Sequence, residues 1–399
     1  MHHRQFVFLT TSLSLNTVAL AAATPISDPR CTCYLTNGTE PTFYKTHRFF
    51  DFRNLTQFAS RSIPEIISSP EDTSSAPPTS SFFTSPLWTS TWQAQSWNNS
   101  KSGTLNGDAT ILMINSPNNI YIQPDNGSSS SDSPPKTHLA MRTSRQPTFQ
   151  TSSEFQALSS TYHYLSLRTL ARTTGSPGAV SAVFTYRDAK SPADIQEADM
   201  EMLTRGPRNK VQYTNQPSYT TGGGQGQGGD ANLRATRNAT LPYAKEWTDW
   251  AVHRLDWTPM RSTWYVDGQQ VASIAFQVPR DPAGINFNAW SDGGSWSGNM
   301  SIGSEATLQI QWIEMLYNTT EKTTTRRDGT GAQLDPRDSA AVNKEECRVV
   351  CSIDEASETR GAAVKLWGDD ESQAGVLVSA VTCALLARLG VLWVLVMTL

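Results

Sequence analysis

Three carboxyls at alternate positions carry the chemistry most readily written from this sequence. In Ile195-Gln196-Glu197-Ala198-Asp199-Met200-Glu201-Met202-Leu203, a strand of period two sends Glu197, Asp199 and Glu201 to one face and Ala198, Met200 and Met202 to the other. The apolar face can pack on a core. The opposite face then lines up three acids whose like charges raise one another's pKa, so they cannot all ionise cheaply. Stability alone gives no reason for such a row. Cleavage of a glycosidic bond with retention needs two carboxyls about 5–5.5 Å apart, one ionised to attack the anomeric carbon and one protonated to release the leaving oxygen. Residues four apart on a strand lie about 13 Å apart at Cα, from a rise of about 3.3 Å per residue, so the two long glutamates must lean together over Asp199. Asp199 can then hydrogen-bond one of them and tune when it is charged. The competing reading is a solvated acid cluster or a calcium site, which the interleaved apolar residues disfavour.

The Glu197-Ala-Asp-Met-Glu201 segment resembles the E-x-D-x-E signature of glycoside hydrolase family 16. The resemblance extends to Gly178–Tyr186 before the signature, to His253–Trp257 and Trp264–Gly268 after it, and to Asn288–Gly298 and Gln311–Met315 further on. It therefore spans at least Tyr162 to Tyr317, with a weaker likeness to fungal members in the flanks, Cys31–Arg53 and Trp88–Trp97. It implies a concanavalin-like β-jelly roll acting on β-glucans or related polymers, with Glu197 as nucleophile, Asp199 as assisting carboxyl and Glu201 as general acid/base. The signature lacks the extra residue that some members carry as a bulge, which predicts an unbulged strand. A structural calcium ion occurs in relatives, and the resemblance allows one here.

Three further residues are candidate sugar contacts. Asn215 lies in Gln212-Tyr-Thr-Asn215, which resembles a strand from which related enzymes reach the sugar, the alternative being an ordinary turn residue before Pro217. Trp290 and Trp296 stand in a Gly/Ser-rich stretch, where exposed rings suit stacking on sugars. Trp257 and His253 read as core. The remaining histidines are isolated, and there is no zinc spacing, G-x-S-x-G elbow or P-loop. The Gly224, Gly226, Gly229 spacing formally matches a phosphate-binding pattern, but no helix pattern follows it. The chemistry proposed needs no cofactor and no catalytic metal.

These residues must be held by strands. Thr, Val, Tyr, Trp and Phe recur at alternating positions, broken by Gly, Asn, Pro and Ser, and convincing helices are scarce. The pattern predicts strands at 162–170, 179–186, 195–203, 250–257, 262–266, 270–277 and 307–317, with Asp267-Gly268 closing a hairpin. Segments 68–85, 127–135 and 222–229 read as loops. The expected fold is all-β, a β-jelly-roll sandwich of two antiparallel sheets with a curved substrate groove.

The 399-residue chain divides into a signal peptide at 1–23, a jelly-roll domain at 24–352, a polar stalk at 353–373, and a hydrophobic segment at 374–399. The first has Arg4, an apolar stretch and Ala21-Ala22-Ala23, the layout of a cleaved secretory signal. The last is apolar apart from Arg388 and follows small residues at Gly361-Ala362-Ala363 or Ser372, as a GPI-attachment signal or membrane anchor would. Cys31, Cys33, Cys347 and Cys351 flank the body, and two bridges between the ends are expected, with the pairing order open. Local pairing of Cys347 with Cys351 is the alternative. Sequons at Asn37, Asn54, Asn98, Asn126, Asn238, Asn299 and Asn318 fit a secreted surface.

A net charge of −4 without a basic stripe argues against nucleic acid as a partner. The expected partner is a neutral polysaccharide, a β-glucan, met by a monomer at the cell surface, with membrane contact only through the C-terminal anchor. The leading expectation is an endo-acting hydrolase of β-1,3 or mixed β-1,3/1,4-glucan in the cell wall. The alternatives are a wall transglycosylase acting on glucan or chitin, a catalytically idle binding module, and a structural wall protein.

Overall fold

The computed structural model describes residues 25–26, 30–59, 62–71, 76–125, 137–218, 233–320, 346–356 and 361–368. The expected signal peptide, the segment 374–399, Asn126 and the loops 127–135 and 222–229 lie outside them.

Two antiparallel layers form one jelly roll. The first contains, in spatial order, Thr236–Thr240, Lys210–Gln216, Gln196–Leu203, Val180–Arg187, Gly284–Trp290 and Gln150–Ala157. The second continues through Thr137–Arg145, Glu305–Thr319, Tyr162–Gly175, Ala251–Trp257, Ser262–Val266 and Gln269–Ile274. The layers join at a corner where Ser144 pairs with Thr151. Alternation then explains the core: Val183 and Met200 from the first layer meet Leu167, Leu255 and Trp264 from the second. Trp257 is fully buried and donates its indole N–H to the Pro279 carbonyl at 2.8 Å, while His253 lies buried in the same layer. Both are core residues, as their strand position suggested.

The strands found match the expected ones and extend some of them. Tyr162–Gly175 runs five residues beyond its expected end because all of it pairs with the long strand Glu305–Thr319. The turn at Asp267 and Gly268 has φ of 47° and 83°, the left-handed pair that a two-residue hairpin turn requires. The loop expected at 68–85 is partly helical instead. Ser81–Thr84 and Pro86–Thr89 form short turns because Phe82, Phe83 and Trp88 pack against one another and Trp88 against Phe155.

A second, smaller sheet ties the ends of the chain together. It runs Pro25–Ile26, Ala363–Gly368, Val349–Ser352, Cys33–Leu35, Phe43–Tyr44. Cys31 is bridged to Cys351 and Cys33 to Cys347, with Cα separations of 5.8 and 5.5 Å, so the bridges do join the two ends. This sheet corrects the stalk expected at 353–373. Ala363 and Val364 are buried, and Ala363–Gly368 is a paired strand. Cleavage for lipid attachment at Gly361-Ala362-Ala363 would remove that strand, whereas Ser372 lies outside the described residues. Buried charges hold the small sheet on the second layer. Asp354 accepts from Arg168 at 2.7 Å, and Arg254 donates to both oxygens of Asp256 at 2.7 Å and to Asn37 at 2.9 Å. Removing one partner would strand a buried charge, which costs far more than the pair itself contributes.

Candidate active site

The acid-bearing strand, Gln196–Leu203, lies between Val180–Arg187 and Lys210–Gln216, with no register shift on either side. It is unbulged, as its sequence predicted. Ala198, Met200 and Met202 are buried in the core, so Glu197, Asp199 and Glu201 must occupy the outward face. Gln196 fixes the start of the strand by donating to Asp281 at 2.7 Å and accepting from the Arg280 and Asp281 backbone N–H groups.

The pairing register builds the site as transverse rows. One row reads Glu154, Asn288, Ala182, Glu201, Gln212, Asn238 across six strands. The next contains Gln156, Asn286, Phe184, Asp199, Thr214 and Thr236, and a third holds Tyr186, Glu197 and Gln216. Three acids of one strand thus meet a fourth, Glu154, from a strand far away in sequence.

Burial dominates the electrostatics. It pushes Glu197 up to about 7, a rise opposed by a hydrogen bond from Asp199 and increased by the charges of Glu201 and Glu154. Asp199, fully enclosed, is raised well above the usual carboxyl range by burial and then by Glu197 and Glu201 on either side. The hydrogen bond between them raises Asp199 and lowers Glu197, so it favours the proton on Asp199 and the charge on Glu197. Gln216 supplies a further hydrogen bond to Asp199. Burial also pushes Glu201 up to about 7, opposed by the indole N–H of Trp296, 3.1 Å from Oε1. Glu154 is raised by burial against hydrogen bonds from Trp97 and Asn288. Burial thus raises all three acids of the strand, Asp199 well above the carboxyl range and the two glutamates to about 7, the kind of offset that acid/base chemistry uses.

The sugar-contact candidates separate. Trp296 reaches Glu201 from the loop after Gly284–Trp290 and is 36% exposed. Trp290 ends that strand, in register with Val180 and on the same face as Asn286 and Asn288. Asn215 is a correction: it pairs with Ala198, faces the core, and spends its amide N–H on the Phe276 carbonyl at 3.0 Å. Its neighbours Thr214 and Gln216 hold the outward positions, because side chains alternate along a strand. Asn318 is a second correction. Only 6% exposed, it donates one amide N–H to the Phe43 carbonyl and accepts from the Lys45 N–H, a burial that disfavours a glycan there. Asn37, Asn54, Asn98, Asn238 and Asn299 are exposed.

Glu154, Asn288 and Trp97 were not singled out in the sequence. A lone Glu in Gln150–Ala157 marks the outward face of that strand, but nothing local links it to residues over forty positions away. Trp97, 44% exposed, donates to Glu154 at 3.1 Å. Among the described residues, no three His, Cys, Asp or Glu side chains gather where they could hold a metal ion. No described helix is long and apolar enough to cross a membrane.

A jelly roll that presents two glutamates on either side of a buried Asp along one outward strand has the carboxyl arrangement of a double-carboxylate glycoside hydrolase. The chain belongs to the glycosyl hydrolases of family 16, whose family model matches residues 114–314, half of its length. It is similar to a beta-glucanase of Bacillus licheniformis, 29% identical over 138 residues, covering 34% of this chain and 51% of that one. A beta-glucanase of Bacillus amyloliquefaciens is 31% identical over 156 residues, covering 38% and 59%. The chain thus spans between half and three-fifths of the length of these relatives. Among solved structures, an endo-β-1,3-glucanase from Pyrococcus furiosus is similar with a TM-score of 0.46 and 18% identity, covering 72% of this chain and 99% of its own.

Proposed function

We propose that this chain is a secreted, retaining endo-hydrolase of β-1,3 or mixed β-1,3/1,4-glucan. The observation that carries the reading is the unbulged strand on which Glu197 and Glu201 flank a buried Asp199 that donates to Glu197. In the first step the Glu197 carboxylate attacks the anomeric carbon and the bond to the leaving oxygen breaks. Glu201 gives that oxygen its proton. In the second, Glu201 takes a proton from water, the resulting hydroxyl bonds to the anomeric carbon, and Glu197 leaves as a carboxylate. Asp199 makes the first step available at neutral pH by stabilising the charge on Glu197. Asn286, Asn288, Gln156 and Glu154, on the same outward face, supply donors and acceptors for sugar hydroxyls, and Trp290 supplies a flat ring.

The beta-glucanases among the relatives support β-glucan as the substrate class. The bridged cysteines and exposed sequons support a secreted protein, and attachment beyond residue 368 through a lipid or helix anchor is compatible with the folded C-terminal strand. Activity on a panel of β-glucans, measured for the parent and for Glu197→Gln, tests the reading. The parent is expected to shorten at least one glucan with release of reducing ends, and the variant to be inactive. Equal turnover by both would sink the assignment, oligomers longer than the donor would mark a transglycosylase, and binding without turnover by the parent would mark an idle module.

A further inference from the structure

The loop that carries Trp296 is fastened on several sides. Asp108 accepts from the Ser295 N–H at 2.9 Å, and Asp292 accepts from the Gly294 N–H at 2.9 Å and from the Ser297 hydroxyl at 2.8 Å. Arg205, in the turn after the acid-bearing strand, donates to the Ser295 carbonyl. The packing leaves no slack. Gly293 has φ of 71°, and a Cβ there would lie 2.3 Å from the Thr110 hydroxyl, while one on Gly294 would lie 2.6 Å from Asp108. The loop backbone is thus fixed on either side of Trp296, whose indole N–H lies 3.1 Å from Glu201 Oε1.

An indole N–H can only donate, so its partner oxygen must accept in every protonation state of the carboxyl. The carbonyl oxygen of a protonated carboxyl is a better acceptor than its hydroxyl oxygen, so the contact favours Oε1 as the carbonyl oxygen and Oε2 as the O–H oxygen. From this geometry we infer that Trp296 is a positioning residue that biases the transferable proton of Glu201 toward Oε2. Its role is to aim the acid, a different task from stacking on a sugar. The inference rests on the proposal that Glu201 is the acid/base. The hydrogen bond also favours the Glu201 carboxylate, opposing the rise that burial imposes. The charged and titratable groups around Glu201 are Glu197 and Asp199 on its own strand, Glu154 at the far end of its row, and Asp108, Asp292 and Arg205 around the loop. Ala182 and Gln212, its immediate neighbours across the sheet, carry no charge.

Trp296→Phe keeps an aromatic ring and removes the donor, and Asp108→Ala loosens the loop while leaving the indole intact. Both variants and the parent would be compared through kcat/KM on an unactivated β-glucan oligosaccharide and on a 2,4-dinitrophenyl β-glycoside of the same sugar, whose leaving group needs no proton. Trp296→Phe is expected to lose about tenfold or more on the first substrate and little on the second, and to move the alkaline limb on the first upward by about one pH unit. Asp108→Ala should show the same pattern more weakly. Equal losses on both substrates with an unmoved alkaline limb would make Trp296 a stacking platform and overturn the inference. A parent inert on both substrates would remove the assignment of the reaction, and this role with it.

Discussion

Replacing Asp199 by Ala tests how the charge on Glu197 is set. Asp199 is 3% exposed and hydrogen-bonded to Glu197 and Gln216, and it holds its proton because burial and two flanking glutamates oppose a further charge. Its donor bond opposes the rise of Glu197, which still stands at about 7. A hydrogen bond to a charged group contributes about 1.5–3 kcal/mol, or about one to two pH units at about 1.4 kcal/mol per unit. Without it the acidic limb of kcat/KM should move up by that amount. Below pH 6 the variant should be about tenfold or more slower than the parent, because the ionised share of Glu197 falls by that factor. Toward pH 9.5 the deficit should shrink, since Glu197 is then mostly ionised in both, provided the alkaline limb set by Glu201 is unchanged. Asp199→Asn keeps an N–H toward Glu197 and an oxygen toward Gln216, so its ratio to the parent should stay flat with pH. Reducing-end release from a soluble β-glucan between pH 5 and 9.5 gives the ratios. A pH-independent deficit in Asp199→Ala, or an Asn variant that copies its slope, would refute the proton-sharing account.

Glu201→Gln should stabilise the fold as it removes activity. The folded pKa of Glu201 is raised to about 7, so its contribution to stability is present below about 4.5 and lost as pH rises through 7. The melting temperature of the variant should exceed the parent's at pH 8, by the equivalent of about 1–3 kcal/mol, and match it near pH 4.5. His138 and His253 work in the opposite direction, because burial lowers both to about 4. The stability they allow is present above about 6.5 and lost as pH falls through 4, and His253→Gln should flatten the acid side of a urea-midpoint profile. For the bridges, Cys33→Ala with Cys347→Ala should cost little loop entropy, since Cys31–Cys351 still closes nearly the same loop. Losing both bridges should cost roughly 5–6 kcal/mol by loop-closure arithmetic, as read from thermal or urea unfolding. Glycopeptide mapping should find Asn318 unmodified. Asn238 lies two strands from Glu201 on the outward face, so a glycan there should hinder long polymers selectively. Asn238→Gln should then raise turnover of polymer over that of a short oligosaccharide.

The acid-bearing strand was legible because its signal is local: the six residues from Glu197 to Met202 alternate strictly, which specifies a face and the row of acids on it. The same holds for the Asp267-Gly268 hairpin, whose turn residues state their own backbone angles. Asn215 was misread for a related reason. A strand one residue out of phase turns its side chain to the other face, and only the pairing with Ala198 reveals which phase applies. Glu154 and Trp97 were silent because their partners come from other strands, and a single Glu among Ser, Thr and Phe has no period to betray it. The stalk failed on composition. A polar segment can still supply a strand when neighbouring strands offer it hydrogen bonds, as Val349–Ser352 and Pro25–Ile26 do for Ala363–Gly368. The buried Arg168–Asp354 pair, 186 residues apart in sequence, could not be foreseen from either partner.

Because Cys31 and Cys33 are bonded to Cys351 and Cys347, the covalent path through the described body closes on itself. In such a molecule the position of a backbone cut loses most of its meaning. A protease that opens an exposed loop anywhere between the bridges produces a rearranged order of segments in a single covalent body and sheds no fragment. The folded body would then tolerate a single nick that would split an open chain in two. Its loops could likewise lengthen, shorten or break over evolutionary time, while the catalytic strand stays anchored between the same two neighbours.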